Sequence, residues 1–378
     1  MGTLQGKKIL SIYYKHKPGG LCKRLYMMFD ALVEDGAEVH YIAAEPYPIS
    51  HPKIVPHLLW VPFKNKDGIF FWVYFFCITP FYTLFIARRI KIDMVSVFGA
   101  VYGFPVIFLK VFLQIPILIF VRADPSAIGE MLGQAKWRLC VERRIASFAL
   151  RWSNHIVTVN NPLKKIMSQR FKIDPDKITV LFNNIKDQPK KLGESTYLRN
   201  KLGLDKAAFV ILTMAVLDQR KNIELLVRSS EFLNGPVVFL ILGEGPEKIR
   251  LEQLAQTTRN NAKIIFSGWQ LKTADFLRAS DLFVLPSKHE GCSNALLEAL
   301  SFGLPCLASD IPENREILTS DELLFGTSDT KILSDKLNRV INNSHYLERI
   351  KAHSERARQR FLFDWEKAIV QVHAEALL

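Results

Sequence analysis

The sequence is poor in the features that characterise secreted, metal-bound or repetitive proteins. Its five cysteines are an odd, scattered set without a C-x-x-C pair: Cys22, Cys77, Cys140, Cys292 and Cys306. This usage argues against a disulfide framework or a zinc site and favours buried thiols in a reducing compartment. No secretory signal, low-complexity tract or repeat of solenoid length is recognised. The 378 residues, 49% of them apolar, instead predict a globular chain of about two domains.

Acidic residues are scarce in the first half only. Residues 1–186 carry 25 Lys and Arg against 12 Asp and Glu, whereas residues 187–378 carry 25 of each, so the first half holds the whole net charge of +13. A basic surface suits nucleic acid, anionic lipid or an acidic substrate. No zinc-finger or RNA-recognition signature accompanies the charge, and the cations are scattered among apolar runs. We therefore expect a basic, aromatic-rich surface that faces an anionic membrane, and no nucleic-acid partner.

The longest apolar run covers residues 69–87 and is followed by Arg88, Arg89 and Lys91. About 20 such residues can span a bilayer. However, Pro80 interrupts the run, two threonines dilute it, and the strands predicted before and after it belong to one sheet, which a single crossing would divide. The run is interpreted as helices partly buried in the first domain, with an exposed aromatic face at the membrane surface. A helix buried entirely in the core is the alternative.

Alternating strands and helices predict two doubly wound, Rossmann-like α/β domains with a ligand cleft between them. The predicted strands cover residues 8–14, 38–43, 94–98, 115–121, 155–159 and 179–182 in the first domain, and residues 209–214, 237–242, 263–267, 282–285 and 306–309 in the second. A polar stretch over residues 184–195 predicts a linker. We assign residues 1–186 to an N-terminal domain, residues 187–355 to a C-terminal domain, and residues 356–378 to a helix that returns to the first domain.

The segment LPSKHEGCSNALLEALSFGLPCLASD, residues 285–310, predicts a strand, a loop, a helix and a second strand. Ser293 or Asn294 can cap the helix, and Gly303 can end it after Phe302. The loop and the helix start together suit a phosphate or another anion. Glu298 lies five residues beyond Ser293, about 7 Å along a helix, where the ribose of a nucleotide would lie. Glu290, in the loop, would face the group at the other end of the diphosphate.

A glycosidase carboxylate pair is the rival interpretation of the two glutamates. Hydrolysis needs carboxyl groups about 5–9.5 Å apart, whereas eight mostly helical positions span about 12 Å. The spacing favours two ends of a ligand clamp over an acid and a base.

Several segments resemble the family-4 retaining glycosyltransferases of GT-B fold. The segment 285–310 resembles the family signature, and ILTMAVLDQRKNIELLV (211–227), ILGEGPEKIRLEQL (241–254), IIFSGW (264–269) and RASDLFVLPS (278–287) match in order and spacing. The Gly19-Gly20 turn and residues 153–167 and 177–185 fit more loosely. The resemblance implies two Rossmann-like domains, with residues 1–186 on the acceptor side and residues 187–355 binding the nucleotide sugar. It implies transfer of a sugar, with retention, from a UDP- or GDP-sugar to a glycan or lipid-linked acceptor. It implies no metal or other cofactor, a role in polysaccharide biosynthesis, and a cytoplasmic, peripheral membrane location.

The resemblance also assigns residues. Lys221 falls on the family's phosphate lysine, Glu290 would contact the donor sugar, and Arg220 is a candidate second cation; these three are the predicted catalytic residues. The family's Gly-Arg before the lysine is replaced by Ala215-Val216, and Asn222 stands where a glycine is common. The predicted donor-binding residues are Gly19, Gly20, Arg122, Gly268, Trp269, Gly291, Cys292, Ser293, Asn294 and Glu298.

Several of these assignments have alternatives. Trp269 would stack on the base or be a buried core residue. Gly19 and Gly20 would admit a ligand or form only a tight turn. Arg122 would contact a phosphate or sugar, or pair with Asp124. The three histidines His16, His155 and His289 are interpreted as isolated surface or packing residues.

Two other functions compete with sugar transfer. A nucleotide-sugar epimerase of GT-B fold would call for acid and base groups in the first domain, where no clear pair is seen. A non-enzymatic nucleotide-sugar-binding or scaffold protein is the second alternative, because the usual arginine is missing.

Overall fold

The structure is a computed structural model that describes residues 2–17, 20–124, 129, 133–188, 194–205, 207–258 and 262–377. Two compact units are present. Unit 1 consists of Met1–Phe182 together with Asp364–Leu378, and unit 2 consists of Asn183–Phe363. Unit 2 is therefore inserted, in sequence, before the last helix of unit 1.

Unit 1 contains a seven-stranded sheet with the order β3-β2-β1-β4-β5-β6-β7, in which every neighbouring pair is parallel. Its central strands are continuous apolar runs, as parallel strands covered on both faces require. The strands are β1 (Lys8–Ile12), β2 (Glu38–Ala43), β3 (Ile54–Leu58), β4 (Met94–Phe98), β5 (Ile117–Val121), β6 (His155–Thr158) and β7 (Ile178–Val180).

The described helices of unit 1 lie between these strands and at the chain end. They are α1 (Gly20–Glu34), α2 (Ile69–Ile90), a 3₁₀ helix (Ala100–Val106) that leads into α3 (Ile107–Leu113), α4 (Lys136–Trp152), α5 (Asn161–Phe171), a 3₁₀ turn (Pro175–Lys177) and α14 (Trp365–Leu377). Helix α14 packs against α1. Its buried His373 lies 2.9 Å from the Ser96 hydroxyl on β4, so the chain end completes the core of unit 1.

Unit 2 contains a six-stranded parallel sheet with the order β10-β9-β8-β11-β12-β13. This is the 3-2-1-4-5-6 order of the doubly wound fold, in which the chain reverses direction of travel between the first and fourth strands. The strands are β8 (Phe209–Met214), β9 (Val237–Leu242), β10 (Lys263–Gly268), β11 (Leu282–Leu285), β12 (Cys306–Ser309) and β13 (Leu324–Phe325).

The helices of unit 2 alternate with its strands and then close the unit. They are α6 (Glu194–Lys201), a 3₁₀ turn (Gln219–Lys221), α7 (Ile223–Ser229) with a 3₁₀ turn (Ser230–Phe232), α8 (Lys248–Thr257), α9 (Ala274–Ala279), α10 (Asn294–Ser301), α11 (Pro312–Ile317), a 3₁₀ turn (Asp321–Leu323), α12 (Thr330–Asn342) and α13 (Ser344–Gln359). The prediction of two doubly wound α/β sheets is confirmed.

Three local predictions need correction. Residues 69–90 form one helix, α2, and not several helices. Pro80 lies within it, and the Thr83 hydroxyl donates to the Pro80 carbonyl at 2.8 Å. Strand β3 was not predicted, since it contains Pro56, which is tolerated in an edge strand. Residues 356–378 are not one helix, because residues 356–359 end α13 and residue 365 begins α14.

Candidate functional site

The candidate site lies at the carboxyl edge of the unit 2 sheet, where β8 and β11 are neighbours. Leu282 pairs with Ile211 and Phe283 with Leu212. These strands flank the point where strand order reverses, and their following loops diverge to leave a crevice for a ligand. The loop after β8 carries Lys221, and the loop after β11 carries Glu290. Strand order alone thus brings together two residues that are 69 positions apart.

Lys221 and Glu290 form a close ion pair. The Lys221 Nζ lies 2.6 Å from Glu290 Oε1, and the two side chains are 15% and 7% exposed. The Ser287 hydroxyl donates to the same carboxylate oxygen at 2.6 Å. A buried charge is costly unless it is paired and hydrogen-bonded, so both charges depend on this contact. The pairing supports the joint assignment of Lys221 and Glu290 to one site.

Arg220 points to a different partner from its neighbour. Its Nε and Nη2 donate to Asp218 Oδ2 at 3.1 and 2.6 Å, and its backbone N–H donates to Asp218 Oδ1 at 3.0 Å. Asp218 is buried and caps the short 3₁₀ turn that presents Lys221. Arg220 therefore stabilises the 3₁₀ turn through Asp218, and its role as a second phosphate-binding cation stays a prediction.

Asn222 joins the loop after β8 to the loops after β11 and β13. Its backbone is left-handed, with φ 53° and ψ 35°, a conformation that asparagine tolerates better than most residues other than glycine. Its amide donates to the Pro286 carbonyl at 3.1 Å and the Thr327 carbonyl at 2.9 Å. The left-handed backbone is one that glycine would also adopt, and the asparagine side chain adds two hydrogen bonds that glycine lacks.

Helix α10 begins and ends where the sequence predicts. Ser293 is the N-cap, with its hydroxyl accepting from the Leu296 N–H at 3.3 Å. Gly303, with φ 71°, follows Phe302 at the other end. Asn294 is the first helical residue, and its Oδ1 accepts from the buried Asn183 at 2.9 Å. The start of this helix, together with Gly291 and Cys292, follows Glu290 directly and is suited to an anion.

Glu298 lies on α10 and is partly buried. Its Oε1 accepts a hydrogen bond from the Thr273 hydroxyl, just before α9. No pattern in the sequence indicates Thr273 as a site residue, because nothing local links it to a glutamate 25 residues away. The hydrogen bond from Thr273 holds one oxygen of the Glu298 carboxylate in place. Binding of a ribose by Glu298 stays a prediction.

Glycines let the loops after β8, β9 and β10 pack closely. A Cβ on Gly243 would lie 1.8 Å from the Ala215 carbonyl oxygen, and one on Gly245 would lie 2.4 Å from that of Leu217. The Gly243 N–H donates to the Gly268 carbonyl at 2.8 Å. The family resemblance of residues 241–254 assigns these glycines no role, and their close backbone contacts provide a structural one.

Trp269 follows Gly268, whose φ is 65°. The Trp269 side chain is 48% exposed, so the alternative of a buried core tryptophan is wrong. An exposed indole beside the loop edge is free to stack on a flat ligand, and stacking on the base stays a prediction.

His289 is not isolated. Its Nδ1 lies 3.2 Å from Glu313 Oε1, and both side chains are largely buried. Its Nε2 is covered and meets no hydrogen-bond partner among the residues that the structure describes. His16 and His155 also have partners, the hydroxyls of Tyr26 and Thr179, each at 2.8 Å. The expectation of three isolated histidines is therefore wrong, since their partners are distant in sequence.

Three of the residues predicted for the site, Gly19, Gly20 and Arg122, belong to unit 1. Gly19 lies outside the described residues, and Gly20 opens α1. The Arg122 guanidinium lies 6.0 Å from the centre of the Phe98 ring. Asp124 is buried and accepts from Arg170 Nη1 at 2.9 Å, so Arg170 is an ion-pair partner of Asp124.

No group of three or more His, Cys, Asp or Glu side chains suited to a metal ion occurs in the described part of the chain.

Two family models match the chain, one in each half. Glycosyltransferase Family 4 matches residues 18–188, and Glycosyl transferases group 1 matches residues 194–360. Among curated proteins, the chain is 30% identical to the UDP-Gal:alpha-D-GlcNAc-diphosphoundecaprenol alpha-1,3-galactosyltransferase of Escherichia coli, over 52% of this chain and 53% of that protein. It is 32% identical to the lipopolysaccharide core biosynthesis glycosyltransferase LpsD of Rhizobium meliloti, over 44% and 49%. The chain spans about half the length of these two relatives.

Solved structures resemble the whole chain. Sucrose-phosphate synthase of Thermosynechococcus elongatus has a TM-score of 0.79 at 18% identity, with 98% of each chain covered. Anabaena HepE in complex with UDP-glucose has a TM-score of 0.78 at 16% identity, covering 98% of this chain and 99% of the other. At such identities the likeness shows the fold. With both halves matched by family models and the fold shared over nearly the full length, the chain belongs to the family-4 glycosyltransferases of GT-B fold.

Proposed function

We propose that the protein is a retaining glycosyltransferase that moves a hexose-type sugar from UDP or GDP to a glycan or lipid-linked acceptor without a metal ion. The observation that carries this proposal is the buried Lys221–Glu290 pair at the switch point of the unit 2 sheet, directly before the capped start of α10. A cation, a carboxylate and a helix N-terminus then meet at one sheet edge, which suits a charged diphosphate joined to a hydroxyl-rich sugar.

The donor would replace part of the existing contacts. Its diphosphate would pair with the Lys221 ammonium and accept hydrogen bonds from the backbone amides near Gly291–Asn294. Glu290 would accept hydrogen bonds from the sugar hydroxyls. Glu298 would accept from the ribose hydroxyls, since one carboxylate has acceptor sites for both. The solved relatives include HepE with UDP-glucose, and an E. coli relative is named for UDP-Gal. These names favour UDP over GDP.

Departure of the diphosphate would be assisted by fixed charge. As the bond between the anomeric carbon and the phosphate oxygen breaks, negative charge grows on that oxygen, where the Lys221 ammonium and backbone dipoles stabilise it. The acceptor hydroxyl would attack from the same face, forming the new glycosidic bond, and its proton would pass to the departing phosphate oxygen. Glu290 would position the sugar and would not become covalently attached.

The acceptor is proposed to be carried on a lipid at the cytoplasmic face of a membrane, with the protein bound peripherally. Two relatives are named for acceptors on diphosphoundecaprenol, and others for lipopolysaccharide core or O-antigen biosynthesis. The positive charge of residues 1–186 suits an anionic surface of this kind. No role in binding nucleic acid is proposed.

The test is a radiolabelled panel of UDP- and GDP-sugars, assayed for hydrolysis and for transfer to a lipid-diphosphate sugar. Glu290→Gln and Lys221→Met should each lower turnover by at least about 100-fold, the scale of losing one preorganised electrostatic contact to the reacting groups. Arg220→Met should lower it less, because Arg220 is engaged by Asp218. The matched controls Glu348→Gln and Lys331→Met remove the same charges from exposed positions and should retain parental turnover.

Each competing function has its own outcome in this assay. A parent protein that binds UDP but neither hydrolyses nor transfers would be a binding protein. Conversion of one nucleotide sugar to its epimer would indicate an epimerase. Loss of turnover in EDTA, reversed by a divalent cation, would contradict metal independence, and an inverted anomeric configuration by NMR would contradict retention. If the Glu290→Gln variant turned over substrate as fast as the parent protein, the assignment of Glu290 to the donor sugar would be wrong.

A further inference from the structure

Helix α2 exposes one side that is almost entirely apolar. Phe70 and Phe81 are each 75% exposed, and Val73 and Phe85 are more than half exposed. The opposite side carries Phe71, Phe75, Thr79 and Thr83 at intervals of four residues, and all four are fully buried. The helix is therefore packed in unit 1 by one stripe and presents a second apolar stripe outward. Large contiguous patches of this kind mark interaction surfaces.

The helix does not cross a membrane as a single span. Among the described residues it is the one helix that is long and apolar enough to do so. However, β3 precedes it and β4 follows it, and both strands belong to the same sheet. A single crossing would place those strands on opposite sides of a bilayer. Helix α2 must therefore lie along the surface of unit 1.

Two further helices extend the patch beyond what the apolar run in the sequence indicates. On α3, Phe108 and Phe112 are exposed, and on α4, Trp137, Phe148 and Trp152 are exposed. We call the exposed apolar sides of α2, α3 and α4 the three-helix face.

Ring contacts show that this face is continuous. Phe76 of α2 contacts Phe104 at 6.0 Å between ring centres, Phe104 contacts Phe148 of α4 at 5.9 Å, and Phe148 contacts Trp152 at 5.8 Å. The Lys110 ammonium of α3 donates to the Trp152 carbonyl at 3.0 Å, which joins α3 to the end of α4. The three helices thus present one surface and not three separate patches.

The charge at the edge of this face selects the partner. Arg88, Arg89 and Lys91 are all exposed at the end of α2. The two arginines line a shallow depression of about 450 Å³ together with Phe81, Leu84 and Phe85. Cations beside aromatic and aliphatic groups match the boundary between anionic headgroups and acyl chains. Exposed tryptophans on the same face match the interfacial position that indole prefers.

We propose that the three-helix face docks on an anionic lipid bilayer, with α2 lying in the plane of the interface and its arginines at the headgroups. This proposal rests on the proposed peripheral attachment to a membrane and names the surface that makes it. It depends on unit 1 alone, so a failure of the proposed sugar transfer would leave it standing. It assigns lipid contact to three helices, whereas the sequence pattern indicates a membrane-facing surface for α2 alone.

The test is co-sedimentation with vesicles of phosphatidylcholine, with or without one-third phosphatidylglycerol, at low salt. The parent protein should bind the anionic vesicles far more tightly. A variant with Arg88→Gln, Arg89→Gln and Lys91→Gln should bind them about 100-fold more weakly, since each cation near such a surface contributes about fivefold. A variant with Phe70→Ser, Phe81→Ser and Phe85→Ser should bind both vesicle types at least tenfold more weakly than the parent protein.

The matched control is Ile249→Ser with Leu271→Ser, which removes apolar groups that are 70% and 91% exposed on unit 2 and should leave vesicle binding unchanged. Circular dichroism and the thermal shift with UDP check that each variant is folded. A parent protein that ignores anionic vesicles at low salt would overturn the proposal, as would phenylalanine variants that bind like the parent. A dimer in gel filtration that the phenylalanine variant dissociates, without vesicle binding, would instead assign the face to a second copy.

Discussion

The buried Lys221–Glu290 pair makes a prediction about the stability of unit 2 that needs no substrate. At their separation of 2.6 Å, an effective dielectric constant of about 20 gives a gross attraction of about 6 kcal/mol. Much of this is offset by the cost of removing both charges from water, yet deleting one partner of a buried pair costs about 3–5 kcal/mol because the other charge stays uncompensated. Lys221→Met should therefore lower the free energy of unfolding by about 3 kcal/mol, with Ser287 still donating to Glu290.

The two partners should not be equivalent. Glu290→Gln should cost only about 1–2 kcal/mol, because the Lys221 side chain is more exposed than that of Glu290 and can extend its ammonium into water. The double variant Lys221→Met with Glu290→Gln should be no less stable than Lys221→Met alone, since it leaves no buried charge behind.

Urea unfolding of all four proteins measures these differences, and hydrogen–deuterium exchange of peptides from residues 183–363 assigns the transition to unit 2. The reasoning would be refuted by a Lys221→Met protein within about 0.5 kcal/mol of the parent. It would also be refuted if the double variant lost the sum of the two single losses, because additive effects mean that the two groups do not interact.

Three other consequences can be measured. Asn222→Gly should lower the free energy of unfolding by about 1–2 kcal/mol through two lost hydrogen bonds, and Asn222→Ala should cost about 1 kcal/mol more because of its left-handed backbone; equal urea midpoints for the two variants would contradict this. UDP should bind about tenfold more tightly than 2′-deoxy-UDP by calorimetry, and Glu298→Ala should abolish the difference, whereas a preference retained in the variant would exclude the ribose assignment. Burial lowers the pKa of His373 from 6.5 to about 4, so on acidification the unfolded chain takes up this proton before the folded one. Unit 1 should therefore lose about 2 kcal/mol from this group between pH 7 and pH 5. His373→Gln should reduce that loss, as seen in urea midpoints at the two pH values, and an unchanged acid sensitivity would count against the assignment.

The parts of the fold that the sequence predicted are those with a strong local pattern. Strands β8, β9, β11 and β12 begin and end at the predicted residues, because they are continuous apolar runs bounded by turn residues. The ends of α10 were predicted for the same reason, since Ser293 and Gly303 each act on adjacent backbone. Strand β13, with two residues, carries no such pattern and was missed.

The parts that the sequence left open are pairings between distant side chains. Lys221 and Glu290 were assigned to one site from family motifs, but their direct contact follows from the order of β8 and β11 in the sheet. Nothing in the sequence distinguishes Asp218 as the partner of Arg220, or Glu313 as the partner of His289. Such choices depend on loop geometry, which periodicity does not encode.

The order of the two units along the chain affects how the protein is made. The core of unit 1 is completed by α14, which brings the buried Trp365 and His373 to strands and helices translated more than 180 residues earlier. During synthesis, the surface of unit 1 that packs against α14 therefore stays exposed until unit 2 has been translated and α14 has followed it. Unit 2 has no such dependence, since all of its strands and helices are contiguous in the chain. The unit that is translated first is thus the last to finish folding, and a released chain that ends at residue 363 would contain all of unit 2 beside a unit 1 that lacks α14.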